Sequence, residues 1–203
     1  MCGVVGFSCD APQAAHYELL KRIMRESKIR GLHSFGVAYV DDGIKVNKVH
    51  DLDELDIPQA TRIIFHNRYS TSGDYLDHEN NQPLSNKSTA LVFNGVLDMR
   101  TKDEMEAAYN VTLSCDNDGA LLLELCNDDP EEMLQWTKER NASFAGLVLS
   151  SSNVLTAFRN ANRPLWLATY QGGLYFASTR DIFMRAEPSL DPIELKPDTL
   201  YAD

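Results

Sequence analysis

The sequence predicts a layered α+β domain. Short β-branched or aromatic segments recur from end to end, helical stretches fall between them, and the strands follow one another too closely for simple βαβ units.

The predicted strands are residues 4–7, 35–40, 62–65, 90–93, 144–149, 154–158, 165–169 and 174–177, each bounded by Gly, Asn, Ser or Pro. A helix over 14–26 follows from Tyr17, Leu20, Ile23 and Met24 near helical spacing. Two more helices are expected over 118–126 and 130–140, the last with Asp129 as N-cap and Pro130 at its first position. Residues 74–82 are polar, lack apolar periodicity and follow a Ser72-Gly73 pair, so they read as a surface loop able to act as a lid.

The 203 residues, 43% of them hydrophobic, suit one globular domain, and no repeat or Gly/Ser linker divides them. Thirty acidic against nineteen basic residues give a net charge of -11, which repels phosphate backbones and anionic membranes alike. No apolar run approaches the roughly 18 residues of a membrane span, and the MCGVVGFSCDAP start lacks the basic lead of a signal peptide, so the expected location is the cytoplasm. Four cysteines without a CxxC pair read as reduced thiols rather than as a disulfide framework or metal site. His16, His50, His66 and His78 show no metal-binding pattern and are expected to be exposed or packed in the core.

Cys2 stands where removal of Met1 would leave it with a free α-amino group. An α-amine has an unperturbed pKa near 7.7–8.0 and can accept a thiol proton, so nucleophile and base can share one residue.

MCGVVGF is followed in order by RGLHSFG (residues 30–36), HNRYSTSG (66–73), NQPL (81–84) and FNG (93–95), then by SFAGLVL, NRPLWL and YFASTRD. Over nearly its whole length the chain thus resembles class II glutamine amidotransferases, the glutaminase domains of glutamine phosphoribosylpyrophosphate amidotransferase, glucosamine-6-phosphate synthase and asparagine synthetase. The resemblance implies the four-layer αββα sandwich of N-terminal-nucleophile hydrolases, with Cys2 as nucleophile and no metal or cofactor.

It also implies that Asn94 and Gly95 form the oxyanion hole and that Arg68 clamps the α-carboxylate of L-glutamine, as a planar guanidinium can. Tyr69, Ser70 and Thr71 would line the base of the pocket, and loop 74–82 would close over it. The α-ammonium needs a carboxylate just before a helix; the apolar register favours Asp118, with Asp116 as the alternative, and either could instead be a helix cap. His33 and Phe93 depart from the family pattern, standing where an Asp and a His are common.

The expected activity is hydrolysis of the glutamine side-chain amide through a Cys2 thioester. The chain is expected to be one amidotransferase domain over residues 1–203 without a synthetase domain, so a separate synthetase would take the ammonia. A γ-glutamyl peptidase or amide hydrolase on the same site is the second reading, and an inactive interaction or regulatory domain the third.

Overall fold

The alternating strands resolve into two antiparallel sheets in this computed structural model, which describes residues 1–70 and 73–203. Among these the strands are β1 (Gly3–Ser8), β2 (Ser34–Val40), β3 (Ile44–Val49), β4 (Arg62–Arg68), β5 (Leu84–Ser85), β6 (Thr89–Val96), β7 (Ser143–Ser150), β8 (Leu155–Arg159), β9 (Trp166–Tyr170), β10 (Gly173–Ala177), β11 (Ile193–Glu194) and β12 (Tyr201–Ala202). The first sheet runs β11-β9-β10-β1-β4-β2-β3 and the second β12-β8-β7-β6-β5. The helices are α1 (Ala14–Ser27), α2 (Lys102–Tyr109), α3 (Ala120–Leu125), α4 (Pro130–Glu139) and α5 (Arg180–Ala186).

Side-chain alternation along the strands sorts the core into three apolar layers. Val5, Phe7, Ile63 and Phe65 face Leu20 and Ile23 of α1 and Phe183 of α5. Val4, Ile64, Val92 and Leu147 meet between the two sheets. Leu91 and Phe93 turn outward onto Leu121 of α3 and Met133 of α4. Helices, sheet, sheet, helices is the four-layer αββα sandwich.

The helix caps follow local chemistry. Asp129 accepts the Glu131 N–H ahead of Pro130, as the sequence led one to expect. The helix expected over 118–126 begins at Ala120, because the preceding residues are drawn into side-chain and turn contacts.

Some elements exceed the prediction. β3 (IKVNKV) is an edge strand with no buried residue, so it shows no apolar signature. α2 buries only Met105, although its Thr101–Glu104 capping box is legible in the sequence. α5 is barely two turns long. The surface loop expected over 74–82 needs correcting: its first half is largely exposed, but Asn80, Asn81 and Gln82 are buried, held by polar contacts that hydrophobic patterning does not detect.

Candidate active site

The site lies where the layer between the sheets opens to solvent. β1 and β4 pair with Gly3 opposite Asn67 and Val4 opposite His66. Since Val4 and Ile64 face the second sheet, alternation places Cys2, His66 and Arg68 on that same face, just beyond the packed core. On β2, Ser34 pairs with Arg68 and Gly36 with His66. From the facing sheet, Asn94 continues the face that Val92 presents to the layer.

The opposite face of β4 anchors this end. Asn67 donates through Nδ2 to the carbonyls of Ser27 (2.9 Å) and Gly31 (3.0 Å) and accepts the Ser27 hydroxyl (2.9 Å). This fixes the turn that carries Arg30, whose Nε donates to the Cys2 carbonyl at 3.2 Å. The Cys2 thiol points to the Tyr69 carbonyl, with Sγ 3.8 Å from the oxygen. Burial pushes the thiol pKa up, while the Tyr69 backbone, the N-terminal amine, Arg68 and Arg30 pull it part of the way back.

A cavity of about 60 Å³ touches Cys2, His66, Arg68, Tyr69, Gln82, Gly95 and Asp118. A second, of about 410 Å³, shares Gly95 and Asp118 with it and also reaches Asp98, Arg100 and Asp116. Gly95 is required here sterically: a Cβ would run into the Ser143 carbonyl of the neighbouring strand.

Several buried polar atoms at this end of the layer have no hydrogen-bond partner among the described residues: Ser34 Oγ, both ring nitrogens of His66, and Asn94 Nδ2. An unpaired buried polar group costs about 1–3 kcal/mol, so these atoms call for partners that the described residues do not supply. Asn94 Nδ2 and the Gly95 backbone suit the role of donors to a developing oxyanion.

Arg68 is buried, and its guanidinium grips loop 74–82 and the residue before it. Nη1 donates to the Asn80 carbonyl (3.0 Å) and Asn81 Oδ1 (2.6 Å), and Nη2 to the Gly73 carbonyl (3.4 Å). A substrate carboxylate would share this cation with the loop. Asp118 Oδ2 accepts the backbone N–H groups of Leu97 (2.6 Å) and Asp98 (3.1 Å), which fixes the chain just past Gly95. Burial raises the Asp118 pKa, against those two hydrogen bonds. Asp116 is exposed beside it, and its N–H donates to Asn80 Oδ1 at 2.9 Å.

Cys2, Arg68, Tyr69, Gly95 and Asp118 therefore share one cavity, and Asn94, which precedes Gly95 in β6, is buried. The Ser70 N–H donates to His33 Nδ1 and its hydroxyl to the Gly73 carbonyl. Thr71 lies outside the described residues. The sequence reading gave no role to His66, or to Gln82, whose Oε1 accepts the Phe93 N–H at 2.6 Å just beyond the point where β5 meets β6. The available signal was β4 itself, RIIFHNR, in which polar residues interrupt a strand buried on both faces.

Burial, with the Arg68 charge second, pushes His66 down to about 3, a weaker backbone interaction at Phe93 opposing. The folded imidazole is thus neutral while the unfolded one protonates near 6.5, so the stability it contributes is present above that pH and is lost as the pH falls toward about 3. Denaturant unfolding should show a loss of about 2 kcal/mol from pH 7 to pH 5 that His66→Asn removes. An equal pH dependence in the variant would show that other groups set it.

No family profile matches the chain. It is 30% identical over 134 residues, 62% of its length, to the glutamine–fructose-6-phosphate aminotransferase (isomerizing) of Shewanella oneidensis, of which the match covers 22%. The glutamine phosphoribosylpyrophosphate amidotransferase of B. subtilis, solved with ADP and GMP, superimposes on 100% of the chain with a TM-score of 0.73 and 16% identity. A structure described as the allosteric regulatory enzyme of purine biosynthesis covers 99% with a TM-score of 0.78 and 19% identity. The fold is that of the class II glutamine amidotransferase domain. The chain spans 22% of the curated relative and 49% and 46% of the two solved chains. Among the described residues no helix is long and apolar enough to cross a membrane.

Proposed function

We propose that the chain is a cytoplasmic glutaminase domain that cleaves the side-chain amide of L-glutamine and passes ammonia to a separate synthetase. The observation that carries this is the convergence, on an amidotransferase fold, of Cys2 and Gly95 on one cavity, with the amide of Asn94, the residue before Gly95, buried and unpartnered among the described residues.

With Met1 removed, the Cys2 amine takes the thiol proton and Sγ attacks the amide carbon. Asn94 Nδ2 and the Gly95 N–H hold the oxyanion. The C–N bond breaks as the nitrogen gains a proton and leaves as ammonia, and water then cleaves the γ-glutamyl thioester to release glutamate. Arg68 receives the α-carboxylate, with Tyr69 and Ser70 beside it, and Asp118 takes the α-ammonium where the two cavities meet. Residues 1–203 act as one domain in this reading.

The larger adjoining cavity also favours a second reading, a γ-glutamyl peptidase whose leaving group is a bulkier amine. Assays with L-glutamine and with γ-glutamyl amides separate the two: ammonia from glutamine supports the first, and turnover confined to the amides supports the second. Arg68→Ala and Asp118→Ala should each raise KM for glutamine roughly ten- to a hundredfold, as loss of a charge-assisted contact does. An unchanged KM in Asp118→Ala with a large rise in Asp116→Ala would move the ammonium site to Asp116.

A further inference from the structure

We propose that His33 is a positioning residue for the Cys2 site, its imidazole holding the backbone that presents the Tyr69 carbonyl to the thiol.

His33 brackets Tyr69 from both sides. Its backbone N–H donates to the Arg68 carbonyl at 3.0 Å, and the Ser70 N–H donates to its ring Nδ1 at 2.8 Å. The carbonyl between these contacts is the one that Cys2 Sγ faces. The ring also stacks with Tyr69, centroids 5.2 Å apart, and with Tyr75 at 4.7 Å. Tyr75 belongs to loop 74–82, whose Asn80 and Asn81 grip Arg68. One imidazole therefore joins the Ser70 amide, the ring of Tyr69 and the loop.

Because Nδ1 accepts a hydrogen bond, it carries a lone pair and the ring proton sits on Nε2. The titratable and charged neighbours are Tyr69 and Tyr75 on the ring, His50, whose Nδ1 lies 3.2 Å from the His33 carbonyl, and His78 stacked on His50 at 4.2 Å. Beyond them lie Arg68 and Lys48, the latter donating to the His78 carbonyl. All of these remain when His33 alone is replaced, so variants at this position isolate its contribution.

The link to turnover rests on the glutaminase reading, whereas the link to Tyr69 and Ser70 does not. His33→Asn keeps an acceptor that does not titrate, and His33→Leu removes the acceptor while keeping apolar bulk. Three measurements decide the matter: kcat/KM for glutamine, the rate of Cys2 alkylation by iodoacetamide, and protection of the Ser70 amide from hydrogen exchange. His33→Leu should lower kcat/KM about five- to tenfold and expose the Ser70 amide, and His33→Asn should restore most of both. Identical protection profiles in all three proteins would overturn the proposal. Absent glutamine turnover with the expected Ser70 and Cys2 behaviour would overturn only the glutaminase reading.

Discussion

Replacing Cys2 with alanine is expected to cut glutamine hydrolysis by at least about a thousandfold while leaving the fold intact. No other cysteine could substitute for it at this cavity. Cys9, Cys115 and Cys126 are buried, and none of them lines the cavity that contains Gly95 and Asp118. The structural cost should be small, because Cys2 is only partly buried at the margin of β1 and its backbone contact with Arg30 survives the change. Circular dichroism and thermal unfolding should match the natural protein. Near-normal ammonia release from a folded Cys2→Ala protein would remove the thioester mechanism altogether.

A chain carrying an uncleaved N-terminal extension should be as inactive as Cys2→Ala, and should regain activity when a protease cut exposes Cys2. An amide nitrogen has no useful basicity, whereas a free α-amine with a pKa near 7.7–8.0 is well matched to its task. Position adds a second reason. Met1 is exposed, with its sulfur 3.7 Å from Arg30 Nη2 and 3.9 Å from Arg163 Nη1, so additional residues would extend from the rim of the site. Intact mass before and after the cut, paired with an ammonia assay, gives the result. Equal activity in the extended and the trimmed protein would exclude the amine as base.

Much of the fold was legible because its strands bury both faces. Each of the eight strand segments read from the sequence lies within or overlaps an observed strand, and β4 extended three residues further because His66, Asn67 and Arg68 are polar yet buried. The same chemistry hid part of the site. His66 and Gln82 are held by backbone geometry and polar contacts, and their roles depend on which strand lies opposite, which no local pattern records. Motif order pointed to Cys2, Arg68, Asn94 and Gly95. It could not show that Arg68 already grips Asn80 and Asn81, or that Asp118 holds the Leu97 and Asp98 amides.

The pleat of β1 makes the thiol's position a question of parity. Val4 faces the second sheet, and Cys2, two residues earlier, faces the same way. One residue inserted between Cys2 and Val4 would swing the thiol toward the helical side, away from Asn94 and Gly95. Two would restore the side but carry it roughly 7 Å along the strand, past the Tyr69 carbonyl. A side chain at Gly3 would run into Asn67, and the length of the stretch is quantised as well: the distance from Cys2 to the first core residue admits one value.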